Sequence, residues 1–330
     1  MAPTLLLSRT DLERALDFPS VLSRLEQAFH VERRREWDVP RRITAHTHSG
    51  GLLAMPCGGG VPEALGAKLV TVFPRNSAAG LPTISGLYAL FDPAMGAPVA
   101  VMDGAYLTLV RTAAVSALAT RLLSRADSRT LGILGAGAQA AFHARFVAAV
   151  RPIDTVRIWA RREESARALA ASLEAHADLR DVRSWIVCHH PEEAAASDIV
   201  VTATAATQPV LEGRWLRPGA HVNPIGAHTR RTREIDTEAV TRAAILAVET
   251  LDTLHEAGDF QCAEAEAPGV LPRVQTLGAL LDPERTETPR DPEAISIFKS
   301  CGVAFEDLVV AALAFEQAGE QGLGSPFLFA

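Results

Sequence analysis

The sequence has little of what a nucleic-acid binder or a membrane protein needs. Its 330 residues include 32 Lys and Arg against 39 Asp and Glu, a net charge of −7. No long basic block is present to collect phosphates, so we expect no nucleic-acid partner. The longest apolar run, residues 308–315, is far shorter than the roughly 20 residues that span a bilayer. The apolar run at residues 5–7 is too short for a secretory signal. We therefore predict a cytoplasmic protein with no membrane partner.

Cysteine is also scarce. The four cysteines, Cys57, Cys188, Cys262 and Cys301, are scattered and form no C-x-x-C pair. This spacing predicts neither a zinc site nor a disulfide framework, and indicates reduced thiols. His46 and His48 lie two residues apart and could be two ligands of a metal, but no third ligand is evident, so we predict no metal site.

The length of the chain exceeds what one hydrophobic core usually fills, which favours two domains. Thr10 and Glu13 have the spacing of a capping box, which predicts that the first of two N-terminal helices begins there. Residues 42–103 then contain short apolar runs separated by Gly, Pro, Asn and Asp, typical of an antiparallel or mixed sheet. Residues 104–124 have the period of a long helix that connects the two domains.

From residue 127 onwards, strand and helix patterns alternate. Strands are predicted at residues 130–134, 155–159, 184–188, 198–202, 221–225 and 244–248, with helices at 138–150, 163–175 and near 191. Residues 258–292 are predicted as helix and loop, and residues 296–318 as a strand followed by a helix. Repeated βα units indicate an α/β domain in which a parallel sheet is covered by helices on both faces.

A glycine-rich turn follows the first of these strands. Its six residues are Gly135, Ala136, Gly137, Ala138, Gln139 and Ala140, the pattern G-x-G-x-x-A. In a Rossmann dinucleotide-binding domain the first glycine makes the tight turn, the second lets the backbone approach a pyrophosphate, and the small third residue lets helix and strand pack. The helix N-terminus would then hold the phosphates. The alternative is an ordinary structural turn.

The end of the second strand bears on the choice of coenzyme. Arg161 and Arg162 follow it, and no acidic residue is available at the turn for a ribose 2′-hydroxyl. Arginine there suits a 2′-phosphate, so we predict NADP(H) as the preferred cofactor. The two arginines could also be ordinary solvated charges. Because Glu163 and Glu164 follow directly, NAD(H) stays possible.

Three basic residues of the first domain are candidates for substrate binding. Lys68 lies in a strand with almost no other charge, so it either snorkels from an edge strand or is desolvated with a lowered pKa. Arg111 lies in a small, apolar helical stretch and needs an anionic partner, either a structural carboxylate or that of a substrate. With Arg42, these cations would suit a small amino or imino acid.

Five segments together resemble the ornithine cyclodeaminase/mu-crystallin family: residues 68–71, 80–83, 111–117, 135–140 and 298–304. The resemblance covers nearly the whole chain. It implies a homodimer and a Rossmann NAD(P)-binding domain at residues 121–302. It also implies an α+β substrate-binding and dimerisation domain at residues 1–120, completed by about residues 303–330.

The resemblance also implies roles for single residues. Arg42 and Arg111 would bind the substrate carboxylate, Lys68 would be the acid or base at the substrate nitrogen, and Cys301 would touch substrate. Cofactor contacts are implied for Thr83, Arg111, Thr112, Thr202, Ile225, Gly226 and Ser300.

Two departures from the family's cyclodeaminases shape the functional prediction. The family's ornithine cyclodeaminases carry Ile-Gly-Gly-Asp where this chain has Ile225-Gly226-Ala227-His228. They also tend to have an acidic residue after the second strand, where this chain has Arg161 and Arg162. We therefore predict NAD(P)H-dependent reduction of a cyclic imino acid, Δ1-pyrroline-2-carboxylate or Δ1-piperideine-2-carboxylate. His228 either acts in catalysis or caps a loop. The alternatives are an ornithine cyclodeaminase, a related amino-acid dehydrogenase, and a non-catalytic NADPH-dependent binding protein.

Overall fold

The computed structural model describes residues 3–284 and 291–329, with Ser77 and Ala78 described by their backbone alone. Part of the segment predicted as helix and loop, residues 285–290, lies outside the described residues. The chain divides into two compact units. Unit 1 comprises Met1–Arg111 and Val303–Ala330, and unit 2 comprises Thr112–Gly302. The chain therefore passes from unit 1 to unit 2 inside the long predicted helix, which spans Gly104–Leu123.

The elements are numbered along the chain. The strands of unit 1 before the crossing are β1 (Thr4–Leu7), β2 (Trp37–Asp38), β3 (Ile43–His46), β4 (Gly51–Gly59), β5 (Ala64–Val72), β6 (Ile84–Phe91) and β7 (Pro98–Asp103). Its helices are α1 (Arg9–Ala15), α2 (Phe18–Arg33) and the first part of α3 (Gly104–Leu123).

Unit 2 alternates strands and helices. Its strands are β8 (Thr130–Leu134), β9 (Thr155–Trp159), β10 (Ser184–Val187), β11 (Ile199–Thr202), β12 (His221–Pro224), β13 (Ile245–Val248), β14 (Val274–Thr276) and β15 (Ser296–Lys299). Its helices after α3 are α4 (Ala138–Val150), α5 (Glu163–Glu174), α6 (Pro191–Ala195), α7 (Thr237–Arg242), α8 (Gly258–Glu266) and α9 (Leu277–Leu280). The chain then returns to unit 1 as α10 (Ala304–Gln321) and β16 (Ser325–Phe327).

Unit 1 is a mixed sheet with helices packed on one face. The strand order is β16-β1-β7-β6-β5-β4-β2, with β3 also paired to β4. Only the β1–β7 pair is parallel among these pairings. Helix α10 packs against β4 and β5 and against α1 and α2. Because α10 is enclosed on most sides, nearly all its side chains between Ala304 and Ala314 are buried, including those of Glu306 and Asp307.

The first helix begins two residues earlier than its predicted capping box. The Ser8 side chain accepts a hydrogen bond from the Asp11 backbone N–H, and the Asp11 carboxylate accepts one from the Ser8 N–H. The predicted Thr10–Glu13 box is therefore wrong. Both pairs have the same spacing, and the preceding strand β1, which the sequence did not reveal, fixes where the helix can begin.

Unit 2 is a wholly parallel sheet with the strand order β10-β9-β8-β11-β12-β15-β13-β14. Alternate residues of each strand enter two separate cores, as Ile199 and Val201 do on one face and Val200 on the other. Helices α4 and α5 cover one face, and α6, α7 and α8 cover the other. This confirms the predicted α/β fold. In the part of the chain that the structure describes, no helix is both long and apolar enough to cross a membrane.

Candidate active site

A buried lysine–carboxylate pair lies at the centre of unit 1. Lys68 lies on the same face of β5 as Gly66 and Val70, because every second residue of a strand points to the same side. Helix α10 covers this face. Lys68 Nζ lies 2.7 Å from Asp307 Oδ2, and the exposed fractions of the two side chains are 2% and 0%. It also donates to Thr108 Oγ1 at 3.4 Å. Since β5 pairs with strands on both edges, the snorkelling interpretation is wrong, and Lys68 is desolvated.

The charges in this cluster shift one another's pKa values. Burial lowers the pKa of Lys68 to about 8, with Asp307 opposing the shift and the charges of Arg111 and Arg42 adding to it. Burial alone would raise the pKa of Asp307, but Arg111 and Lys68 together hold it below its usual value. An ammonium with a pKa this close to neutrality can exchange its proton at ordinary pH.

Arg111 is paired with carboxylates at the start of α10. Its Nη1 lies 2.9 Å from Glu306 Oε2, and its Nε lies 3.1 Å from Asp307 Oδ1. Asp307 therefore bridges the guanidinium and the Lys68 ammonium through its two oxygens. The sequence left two kinds of partner open for Arg111, a structural carboxylate and that of a substrate. In the structure its partners are the structural carboxylates of Glu306 and Asp307. Arg42 is half-buried directly before β3, and its charge acts on Lys68.

The glycine-rich turn of unit 2 has the geometry that a dinucleotide requires. Gly135 adopts φ of +122°, and a Cβ there would lie 2.4 Å from the Ala203 carbonyl oxygen. Gly137 caps the N-terminus of α4 without a side-chain hydrogen bond, and a Cβ added to it would meet no atom within 4 Å. Ala140 is fully buried against the sheet. The backbone of the helix start is thus open to an anion, and the residues present fit a dinucleotide.

The turn after β9 carries the two candidate arginines. Arg161 and Arg162 are both exposed, and no side chain within residues 3–284 or 291–329 forms an ion pair with either. Glu163 instead accepts from Arg167 Nε at 3.0 Å and lies 3.4 Å from His189 Nδ1. The acid nearest to the turn is therefore already engaged by two other side chains.

Four other candidates in unit 2 lie at or just beyond the carboxyl ends of parallel strands. Thr202 ends β11, Ile225 and Gly226 follow β12, and Ser300 follows β15. Since all these strands run parallel to β8, the candidates lie at the sheet edge that carries the glycine-rich turn, which is where ligands bind in such folds. Ser300 Oγ donates to Glu249 Oε1 at 2.6 Å.

Four further candidates have less distinctive surroundings. His228 is exposed, and its Nδ1 lies 3.1 Å from the Gly226 carbonyl oxygen of its own loop, as a loop-capping residue would. Cys301 Sγ lies 3.9 Å from the Ala227 carbonyl oxygen. Thr83 is half-buried, and its carbonyl accepts from the Phe73 N–H. Thr112 is buried, and its Oγ1 has no hydrogen-bond partner among the described atoms.

Sequence reasoning missed the carboxylates that organise both units. Glu306 and Asp307 stand together in the otherwise apolar first part of α10, residues 304–315, and Glu234 and Glu249 are wholly buried in unit 2. The need of Arg111 for an anionic partner was the signal that pointed to the first pair. Nothing in the sequence indicated that Glu234 would be buried between two loops, because its partners are mostly backbone N–H groups.

A parallel sheet with a dinucleotide-binding turn, joined to a unit that buries a lysine–carboxylate pair, defines a dinucleotide-dependent enzyme. The model of the ornithine cyclodeaminase/mu-crystallin family matches residues 3–322, and the chain belongs to that family.

Individual relatives agree with this membership. Ketimine reductase mu-crystallin of Mus musculus is 38% identical over 271 residues, covering 82% of this chain and 81% of the relative. Thermococcus litoralis Δ1-pyrroline-2-carboxylate reductase, solved with NADH and L-proline, has a TM-score of 0.90 and 34% identity, covering 98% of this chain and 99% of that chain. An archaeal alanine dehydrogenase dimer with bound NAD has a TM-score of 0.90 and 30% identity, covering 99% of each chain.

Proposed function

We propose that this protein reduces a cyclic imino acid, Δ1-pyrroline-2-carboxylate or Δ1-piperideine-2-carboxylate, to the cyclic amino acid with a reduced nicotinamide coenzyme. The observation that carries the proposal is the buried pair of Lys68 and Asp307, 2.7 Å apart. Reduction of a C=N bond requires a proton at nitrogen, and Lys68 is a desolvated ammonium with a pKa of about 8. Two relatives are named for this chemistry, a ketimine reductase and a Δ1-pyrroline-2-carboxylate reductase.

In this mechanism Lys68 holds or donates the proton at the ring nitrogen, which makes the adjacent carbon electrophilic. When bound, the reduced nicotinamide supplies the hydride that this carbon accepts. The product then carries one new C–H bond and one new N–H bond. Asp307 favours the charged form of Lys68 and fixes the direction of its Nζ. Arg42 orients the substrate carboxylate together with Arg111, which would bind it in addition to Glu306 and Asp307, so that the imine is held in one position.

For the coenzyme, we propose a preference for NADP(H), with NAD(H) possible. The support is the exposed pair Arg161 and Arg162 at the turn after β9, together with the engagement of Glu163 by Arg167. Relatives with bound coenzyme contain NADH or NAD. For the present chain we infer the preference from the turn after β9, and the glycine-rich turn, residues 135–140, would hold the phosphates common to both coenzymes.

We further propose that the protein is a homodimer in which a second copy covers the outer face of the unit 1 sheet. Strand register places Leu69 opposite Leu87, and Leu52 and Leu65 share the same face by alternation. These four leucines are between 38% and 41% exposed. A contiguous exposed apolar patch of this kind marks a protein interface. The archaeal alanine dehydrogenase relative is a dimer.

The function is tested with the purified full chain. NADPH or NADH is mixed with Δ1-pyrroline-2-carboxylate or Δ1-piperideine-2-carboxylate, and the loss of reduced-nicotinamide absorbance is followed. We expect oxidation with at least one of the two imino acids. A parallel sample of L-ornithine with NAD is assayed for proline and ammonia. Release of both from ornithine, without imine reduction, would make the protein a cyclodeaminase, and coenzyme binding without turnover would make it a binding protein.

A further inference from the structure

Glu234 is a wholly buried carboxylate between two loops of unit 2. Its Oε1 accepts from the N–H and the hydroxyl of Thr204, both at 2.7 Å. Its Oε2 accepts from Thr202 Oγ1 at 2.9 Å and from the N–H groups of Gly226 at 2.6 Å and Ala227 at 3.3 Å. Each of these five groups acts as a donor to Glu234, so the ionised carboxylate is the form that satisfies them.

The position of Glu234 is itself fixed by a second buried pair. Asp259 Oδ1 accepts from the N–H groups of Glu234 at 2.7 Å and Ile235 at 3.0 Å. Lys299 Nζ lies 3.0 Å from Asp259 Oδ2 and donates to the Pro224 carbonyl at 2.9 Å. Burial raises the pKa of Glu234, and the Lys299 ammonium opposes that shift. The ends of β12 and β15 and the segment that carries Glu234 are therefore tied together.

The two loops that Glu234 holds adjoin the glycine-rich turn. A Cβ on Gly226 would lie 1.9 Å from the Thr204 carbonyl oxygen, so these two backbones are in direct contact. A Cβ on Gly135 would lie 2.4 Å from the Ala203 carbonyl oxygen, so residues 203–204 also pack directly against the glycine-rich turn. A continuous layer of backbone thus runs from the turn to Gly226, and the Glu234 carboxylate supports it from within the unit.

We infer that Glu234 is a positioning residue for coenzyme binding, acting through the backbone of residues 202–204 and 226–227 and not through contact with the coenzyme. The inference rests on the proposed use of a nicotinamide dinucleotide. A Glu234→Gln change keeps the size of the side chain but replaces one acceptor oxygen with an NH₂ donor. The new NH₂ group would face N–H and O–H donors, with which it cannot form hydrogen bonds. The two loops that Glu234 holds together beside the glycine-rich turn would therefore move apart.

The test is the dissociation constant of NADPH and of NADH for the full chain, measured by calorimetry without substrate. We expect Glu234→Gln to raise it by about tenfold or more for both coenzymes. Glu234→Asp, which keeps the charge on a shorter side chain, is expected to give an intermediate value. The matched control is Asp198→Asn. Asp198 Oδ2 accepts from the N–H groups of Arg129 and Thr130 and from the Thr130 hydroxyl, but at the amino edge of the same sheet.

The control is expected to lower the melting temperature while leaving both dissociation constants within about twofold of wild type. Wild-type coenzyme affinity in Glu234→Gln, with a melting temperature lowered as in the control, would overturn the inference and leave Glu234 with a structural role alone. If Glu234→Gln does not fold, Glu234→Asp decides the question by the same comparison. A wild-type chain that binds neither coenzyme would instead contradict the proposed function.

Discussion

Lys68 Nζ and Asp307 Oδ2 are 2.7 Å apart on facing elements, the central strand β5 and the first turn of α10. The same carboxylate accepts from Arg111 through its other oxygen. Removing water from the three groups makes their charges interdependent, because each loses its solvation and gains the field of the others. The proton on Lys68 is therefore controlled by Asp307, and the predictions about catalysis depend on this relationship.

The pH dependence of imine reduction follows from the lowered pKa of Lys68, about 8. Below that pH Lys68 carries the proton that the ring nitrogen needs, and above it the amine is neutral. The plot of kcat/KM against pH is thus expected to have an alkaline limb, in which kcat/KM falls by about tenfold per pH unit above the pKa of Lys68. Steady-state rates measured across the alkaline range check this.

Asp307→Asn separates the titration of Lys68 from that of the substrate imine. Loss of the anionic partner favours the neutral amine, so the alkaline limb is expected to move to lower pH by about one unit. Titration of the substrate is unaffected by the change. A limb at the same pH in both proteins would mean that Lys68 does not control it. Circular dichroism checks that the variant is folded, since a broken buried ion pair is costly.

Arg161→Ala tests the coenzyme preference. If the guanidinium binds a 2′-phosphate, the dissociation constant of NADPH is expected to rise by about tenfold or more, with little change for NADH. Fluorescence titration of each coenzyme measures both values. Arg180→Ala is the control, because Arg180 is also exposed in unit 2 but lies just before β10, at the sheet edge opposite to the turn after β9. An equal loss for both coenzymes would contradict the 2′-phosphate assignment.

Leu69→Asp tests the proposed dimer. The substitution places a charge in the centre of the exposed apolar face formed by Leu52, Leu65, Leu69 and Leu87, and burying that charge against a second copy is costly. By sedimentation equilibrium we expect this variant to be a monomer and wild type to be a dimer. Leu251→Asp, at an exposed leucine of unit 2, is the matched control and is expected to stay dimeric. A dimeric Leu69→Asp protein would place the interface elsewhere.

His143 predicts how stability responds to acid. Its ring is fully buried, with Nε2 3.0 Å from Ser116 Oγ, and burial lowers its pKa to about 4 from 6.5. Between those values the unfolded chain binds a proton that the folded chain does not, so stability is lost as pH falls. From about pH 7 to about pH 5 the loss through His143 is about 2 kcal/mol. Urea unfolding should show a smaller pH dependence in His143→Gln than in wild type.

The sequence predicts unit 2 well because its strands are buried on both faces and read as separate apolar runs. Thr130–Leu134, Ala138–Val150 and Thr155–Trp159 have the predicted bounds. Each is bounded by residues that disfavour its continuation, such as Gly135 and Gly137 at the turn. Local patterns of this kind carry their own boundaries.

Non-local contacts were not predictable in the same way. Strand β1 pairs with β7 and β16, which are remote in sequence, so its short apolar run gave no sign of a strand. Lys68 and Asp307 are separated by 239 residues, and only the fold brings them together. The contacts of Glu234 were not predictable for the same reason, since its donors lie at or after the ends of two other strands, β11 and β12.

The central claim, that Lys68 protonates the imine, is tested most directly by turnover of Lys68→Ala with NADPH and Δ1-pyrroline-2-carboxylate. We predict that kcat/KM falls by about 100-fold or more, the usual contribution of a general acid, while the dissociation constant of NADPH is unchanged. Lys68→Arg, which keeps a positive charge beside Asp307 but holds its proton too tightly, is expected to be similarly inactive. Turnover of Lys68→Ala near the wild-type rate would contradict the account.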